Sequence, residues 1–306
     1  MGRTGAAGRA RAAVHANIRP VARLDPSLPV AVFDSGVGGL TVLHECLVSL
    51  PHEDFVYLGD TERFPYGERE PDELLAFSRE LAGKLLDGGA KLLVIACNSA
   101  TAAAATTLRE ELAGRVEVVS VVTPESRLAA GATRNGRVGL LATTATVQSG
   151  AYARALAEAA SGAELHAVAA PDLAPLIQEG GEVDERVIAC VEEACAPLIE
   201  ARVDTVILGC THYPLVRPAL QRRLGRGVTL VSSGEAIAQE VEGRLSRAGL
   251  EREEDRRGDY RFLASGDPGE FRRLGTRFLQ LPIGEVGHVA VAPARTPRPR
   301  GVRAAA

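Results

Sequence analysis

Lysine is nearly missing from this sequence: Lys84 and Lys91 are the only two among 35 basic residues. A phosphate loop of the Walker type needs a lysine directly after its last glycine, so that nucleotide site has no candidate here. Long apolar runs are missing too. The longest clean stretch lies near Lys91 to Cys97. That is far short of the about 18 to 20 residues that cross a bilayer as a helix, so the chain reads as soluble, with no membrane partner. Positive charge is not in excess either. The net charge is −4, whereas phosphate backbones are gripped by clustered Lys and Arg, so nucleic acid is not the expected partner. The five cysteines, Cys46, Cys97, Cys190, Cys195 and Cys210, are odd in number and contain no C-x-x-C pair. This argues against a disulfide framework or a zinc cluster and for reduced thiols in a cytoplasmic protein, with no metal expected.

What is present reads as a globular protein. At 306 residues with 46% hydrophobic and 24% charged residues, the chain is too long for one comfortable core, and two packed domains are the natural expectation. The opening MGRTGAAGRARAAVHANIRPVARLDP is rich in Ala and Arg, and Asp25 is its first acid. Arg, His and Pro interrupt each of its apolar patches, so it lacks a signal-peptide core and reads as a disordered extension or as a start codon placed too early.

From Pro29 onward, short β-branched runs alternate with helical patterns, the signature of an α/β fold with a mainly parallel sheet. Strands are expected at residues 30–33, 55–58, 91–96, 116–119, 137–141, 165–168, 204–208, 228–231 and 260–263. The helix after Pro71 carries Leu74, Phe77, Leu81 and Leu85 on one face, with the proline in its first turn. The chain also repeats itself. Leu93-Val-Ile-Ala-Cys-Asn returns as Thr205-Val-Ile-Leu-Gly-Cys-Thr, so Cys97 matches Cys210, and Val30-Ala-Val-Phe-Asp-Ser returns as Val138-Gly-Leu-Leu-Ala-Thr. Two pseudo-symmetric open-sheet domains follow: residues 29–121 with 232–290, and residues 122–231. They are flanked by a disordered extension at 1–28 and a disordered tail at 291–306. Ligands of open parallel sheets bind beyond the carboxyl ends of the strands, so facing halves would put both cysteines around one cleft.

The residues around these strand ends are polar. Cys97 precedes Asn98-Ser99-Ala100-Thr101 and an alanine-rich helix, with Asn98 and Ser99 as the expected caps, and a helix N-terminus favours thiolate. Cys210 lies in Gly209-Cys210-Thr211-His212-Tyr213-Pro214, which sets donors near the thiol. Cys210 with His212 is also half of a zinc site, yet no other Cys/His cluster supplies ligand spacing. Cys46, Cys190 and Cys195 fall on helical segments and read as packing residues. The loop Asp34-Ser35-Gly36-Val37-Gly38-Gly39 resembles a cofactor loop, but a dinucleotide fingerprint needs glycine where Thr41 stands. A small carboxylate against its amides is the simpler reading, with Asp34 available for proton transfer. A second loop holds Gly59-Asp60-Thr61 and Pro65-Tyr66-Gly67, where Tyr66 and the Gly67 amide are expected to meet the same ligand.

Taken together, VFDSGVGGLTV, YLGD followed by PYG, ACNSATA and GCTHYPL, in this order and spacing, resemble the glutamate racemase family from about Pro29 to about Ile283. The resemblance implies two α/β domains related by a pseudo-twofold axis, an active site between them, and neither pyridoxal phosphate nor metal. It implies that Cys97 takes the α-proton of D-glutamate and Cys210 that of L-glutamate, assisted by Asp34 and His212 respectively. Inverting a stereocentre by deprotonation needs a base on one face and an acid on the other, and reversibility makes them exchange roles. Substrate contacts carried over in the same way are Asp34, Ser35, Tyr66, Gly67, Asn98, Ser99, Thr211 and His212, with Thr143 and Thr146 beside them. The implied product is D-glutamate for peptidoglycan. Two departures stand out: Ser99 replaces a common threonine, and Pro175-Leu176-Ile177-Gln178-Glu179-Gly180 places Gln178 where the family carries an acid. The nearest alternative is racemisation of aspartate or another small amino acid. A second role restraining DNA gyrase and activation by a cell-wall precursor are known for some relatives. The sequence leaves the oligomeric state open, a homodimer being compatible with it.

Overall fold

The computed structural model of the protein describes residues 25–180, 183–252 and 256–294, so most of the two expected tails lies outside the described residues. The first succession is β1 (Val30–Asp34), α1 (Leu40–Ser49), β2 (Phe55–Gly59), α2 (Pro71–Asp87), β3 (Leu92–Ile95), α3 (Asn98–Glu111), β4 (Glu117–Ser120) and α4 (Val122–Ala132). The second runs through β5 (Arg137–Ala142), α5 (Thr144–Gln148), α6 (Ala151–Ala159), β6 (Glu164–Ala169), α7 (Leu173–Gln178), α8 (Glu185–Glu200), β7 (Thr205–Gly209), α9 (Arg217–Leu224) and β8 (Thr229–Val231). The chain then returns through α10 (Ser233–Ala248), β9 (Tyr260–Ala264), α11 (Pro268–Leu279) and β10 (Val286–His288).

Every strand pairing among the described residues is parallel, in two sheets ordered β10-β9-β2-β1-β3-β4 and β6-β5-β7-β8. Without β9 and β10 the first order is the second with each number lowered by four. The internal echo of the sequence is thus a repeated topology in which β1 and β3 correspond to β5 and β7. In each sheet the chain order reverses between those two strands, the crevice where open parallel sheets accept ligands. Cys97 follows β3 and Cys210 follows β7.

β1, β2 and β7 are buried along their whole length, which explains why they read as unbroken apolar runs without alternation. On one side, Ala31, Phe33, Leu58 and Ile95 pack under α2 and α3. On the other, Val32 and Tyr57 belong to a core that continues into Leu140 and Ile207 of the second sheet and takes in Ile237 and Phe278. Burying one such side chain contributes about 1.5–3 kcal/mol. α2 places Leu74, Phe77, Leu81 and Leu85 inward from a start at Pro71, as its spacing requires.

Three details depart from the sequence reading. β10 was not foreseen, because a three-residue edge strand, Val-Gly-His, carries no apolar run. Residues 25–28, assigned above to the extension, form a turn in which the Leu28 N–H donates to the Asp25 carbonyl at 3.0 Å. The Lys91 ammonium holds that turn by donating to the Pro26 carbonyl at 2.7 Å, while its own charge is met by Glu53 at 2.5 Å in a buried ion pair. Residues 291–294, assigned to the tail, lie against α2: the Ala292 N–H donates to Glu80 Oε1 at 2.9 Å.

Candidate active site

β3 ends two residues before Cys97, where the backbone is still extended, and α3 begins at Asn98. Cys97 is therefore itself the N-cap, its sulfur accepting from the Ala100 N–H at 3.5 Å. Asn98 and Ser99, expected as caps, sit in the first turn, which frees their side chains for other partners. Burial pushes the Cys97 thiol up to about 12 and the charge of Asp34 adds to this, while bonds from Ala100 and Ser35 act the other way. The expected acidic thiol is thus not found. Desolvation of a thiolate outweighs one helix terminus.

Asp34 closes β1 and is wholly buried. Its carboxyl accepts from the Gly36 N–H at 3.1 Å and from the Thr211 hydroxyl at 3.4 Å. The glycine loop's amides turn onto this carboxyl and not outward to a ligand, so the anion they bind is built into the chain. Burial pushes Asp34 up to about 6 against those amides. Gly38 has a different reason to be glycine: a Cβ there would lie 2.4 Å from both His212 Nδ1 and Thr211 Oγ1. The loop after β1 and the loop after β7 meet backbone to side chain.

Cys210 follows Gly209 at the end of β7, and a 3₁₀ turn at Tyr213–Val216 takes the place of a long helix. His212 Nδ1 faces the Cys210 sulfur at 3.9 Å, and Nε2 is bonded to Gln178 Oε1 at 2.9 Å. The imidazole is sandwiched by Phe64, 5.4 Å away between ring centroids, and the edge of Phe278 at 5.1 Å. Burial pushes it down to about 3. Burial also raises the Cys210 thiol, opposed by the His212 amide and reinforced by the charges of Cys97, Asp34 and Glu125. Glu179 faces away, in an exposed ion pair with Arg186 at 2.8 Å.

Both cysteines line one cavity. Of the residues singled out in the sequence, Ser35, Tyr66, Gly67, Asn98, Ser99, Thr143, Thr211 and His212 line it too. Asp34 and Thr146 are not on its wall but stand behind it. Thr146 shares hydrogen bonds with Ser99 at 3.2 Å and Thr143 at 3.0 Å, and Ser99 with Thr143 at 2.8 Å. Tyr66 contributes its ring, since its hydroxyl donates to Asp60, which also holds the buried Arg63 at 2.6 Å.

Sequence reasoning missed the rest of the wall: Phe64, Pro65 and Glu68 from the loop before α2, and Pro171, Ala174 and Pro175 around the start of α7. It also missed Glu125, whose carboxyl accepts from Asn98, Tyr152 and Ser233. Burial pushes Glu125 up to about 8 against those three donors. Helical spacing holds the signal, for the buried face of α4 is Val122, Glu125, Ser126 and Ala129, an acid on an apolar stripe. Among the described residues, no group of three His, Cys, Asp or Glu side chains is arranged to hold a metal ion, and no helix is long and apolar enough to cross a membrane.

The family model for Asp/Glu/hydantoin racemases matches residues 43–241. A glutamate racemase from Parafrankia sp. is 46% identical over 271 residues, covering 88% of this chain and 96% of the relative. The chain belongs to the glutamate racemase family. It is an amino-acid racemase, an isomerase, and its fold follows the solved racemases. A glutamate racemase isoform from Bacillus anthracis superposes with a TM-score of 0.81 at 36% identity, over 88% of this chain and 99% of that one. The Francisella tularensis glutamate racemase, solved with D-glutamate, gives a TM-score of 0.81 at 29% identity over 87% and 98%.

Proposed function

We propose that this racemase interconverts L- and D-glutamate by passing the α-proton between Cys97 and Cys210. One observation carries the reading: two thiols at the ends of topologically equivalent strands line a single cavity from opposite halves of the molecule. A carbon held between them has a sulfur on each face. One thiolate removes the α-proton, the thiol opposite delivers its proton to the other face, and the two leave with roles exchanged. Cys97 takes the proton of D-glutamate and Cys210 that of L-glutamate.

The raised thiol affinities serve this chemistry. A buried thiolate is a strong base, suited to a weakly acidic C–H, and the substrate ammonium entering the cavity favours its formation. Asp34, pushed up to about 6, takes or releases a proton near neutral pH beside Cys97. On the other side, His212 stays neutral and hydrogen-bonds the Cys210 sulfur through Nδ1 without itself taking the proton. With hydrogen on Nε2, the ring donates to Gln178 Oε1 and offers the Nδ1 lone pair to Cys210. With the Gln178 amide turned over, the other tautomer aims Nδ1–H at the sulfur. An amide follows both tautomers.

The choice of glutamate draws support from the names of the relatives and from the Francisella complex with D-glutamate. The wall residues Ser35, Tyr66, Gly67, Asn98, Ser99, Thr143, Thr211 and His212 are the proposed contacts for its ammonium and carboxylates. D-Glutamate supply for peptidoglycan in the cytoplasm fits this family, and all five cysteines are free thiols. The test is decay of the optical rotation of L-glutamate with purified protein and no added cofactor. Decay with aspartate and not with glutamate would reassign the substrate.

A further inference from the structure

Asn98 lines the substrate cavity, yet its amide is held from behind. Nδ2 donates to the Tyr152 hydroxyl at 2.6 Å and to Glu125 Oε2 at 3.1 Å. The Tyr152 hydroxyl donates in turn to Glu125 Oε2, and the Ser233 hydroxyl donates to Oε1 at 2.7 Å. These side chains come from four helices, Asn98 from α3, Glu125 from α4, Tyr152 from α6 and Ser233 from α10. All four are buried, and the Glu125 carboxyl is the acceptor that orders the rest.

With both Nδ2 hydrogens engaged, Asn98 Oδ1 is left over, buried and without a partner among the described residues. An asparagine free to turn over would offer its NH₂ to the cavity as readily as its oxygen. Against the ionised Glu125 carboxylate, which can only accept, the turned-over amide would set carbonyl against carboxylate and leave both unmet, so the ionised form holds one orientation. The unpartnered oxygen belongs to a residue on the cavity wall, and it asks for a donor. Glutamate with both carboxylates ionised has one, its α-ammonium.

We propose that Glu125 is a positioning residue of the racemase: together with Tyr152 and Ser233 it fixes the Asn98 amide so that Oδ1 accepts from the α-ammonium of the substrate. This rests on the glutamate reading above. The ammonium keeps its charge before and after proton transfer, so the contact binds the ground state and the transition state alike. Its loss raises KM and leaves kcat in place.

Steady-state kinetics of the full chain with both enantiomers provide the test. Glu125→Ala raises KM at least tenfold with kcat within about threefold of the wild type. Glu125→Gln keeps an oxygen toward Asn98 and Tyr152 and turns its NH₂ to the Ser233 hydroxyl, which rotates to accept, and so returns KM to within about threefold. In an Asn98→Ala background, Glu125→Ala adds nothing further. An unchanged KM in Glu125→Ala, an equal rise in Glu125→Gln, or multiplicative effects in the double variant overturns the proposal. If circular dichroism shows Glu125→Ala unfolded, Tyr152→Phe decides, since it removes only the hydroxyl: KM rises about threefold, and an unchanged KM overturns the proposal. Wild-type turnover of glutamate is the control. Its absence sinks the substrate reading, whereas turnover with unmoved variants sinks this proposal alone.

Discussion

The two halves of the cleft share a topology and differ in how they support their thiol. On the Cys97 side, a fourteen-residue helix starts at the cysteine, and the nearby acid, Asp34, sits in a cage of loop amides. On the Cys210 side the chain enters a 3₁₀ turn, and the nearby group is an imidazole held between two aromatic rings and an amide. A repeated fold supplies position, a thiol from each of two equivalent strand ends on the wall of one cavity, but it does not supply equal electrostatics. Asp34, at about 6, changes charge near neutral pH, while His212, at about 3, does not. The halves also depend on each other, for Thr211 of the second half donates to Asp34 of the first.

The largest effect expected on this comparison is symmetric. Cys97→Ala and Cys210→Ala each cut racemisation by about 10³-fold or more, since either leaves one face without an acid or base. Rotation assays in both directions check this, and near-wild-type turnover in either variant would end the two-base account. Cys46→Ala, Cys190→Ala and Cys195→Ala leave turnover unchanged. Alkylating agents should strike Cys97 and Cys210 more slowly when glutamate is present, as peptide mapping would show.

A smaller loss comes from wedging the halves apart. In Gly38→Ala the new Cβ must displace His212 Nδ1 and Thr211 Oγ1 from 2.4 Å, so the Cys210 side shifts while Cys97 keeps its cap. We expect at least a tenfold loss of kcat/KM and a lower melting temperature. Gly83→Ala is the matched control. It lies in the interior of α2 with nothing within 4 Å of the added Cβ, so it should stabilise by roughly 0.5–1 kcal/mol and leave kinetics alone. Equal losses in the two variants would mean that Gly38 is not a contact between the halves.

These residues also show how much the sequence disclosed. β1, β2, β3, β5 and β7 were legible because buried parallel strands are continuous apolar runs, the more exposed β6 and β9 because short β-branched or aromatic runs sit between helical patterns, and both cysteines because the runs before them repeat. β10 was not, since its pairing comes from an edge that the rest of the sheet provides. The wall positions carried by motifs were readable, whereas Pro171 and Ala174 enter the cavity only because β6 and α7 are folded over it. The thiol affinities were misjudged for a related reason. A helix terminus is visible in sequence, but the desolvation that outweighs it is a property of the packed cleft. Glu125 was readable in principle, from helical spacing, and in isolation it passes for a surface acid.

The finest test of the asymmetry is Gln178. Its amide oxygen lies 2.9 Å from His212 Nε2, while Glu179 points to Arg186, so position 178 is the one that speaks to the imidazole. An amide holds a neutral ring and gives an imidazolium no countercharge, and burial keeps the folded-state value at about 3 against an ordinary 6.5. Between those values the unfolded chain binds a proton that the folded chain refuses. Stability from this group is therefore complete above about pH 6.5 and is lost as pH falls through the window. Gln178→Glu supplies the countercharge and raises the affinity of His212 for its proton. Two readouts follow. Its melting temperature should fall less than that of the wild type between pH 7 and 5, and the acid limb of the L-to-D rate profile should move upward, because the ring takes up a charge there that the wild-type ring refuses. Glu179→Gln should move neither, because its partner is an exposed arginine whose contribution is near the about 0–1 kcal/mol of surface pairs. Superimposable profiles for wild type and Gln178→Glu would show that His212 stays neutral whatever faces its Nε2, and the Cys210 side would then owe its behaviour to burial alone.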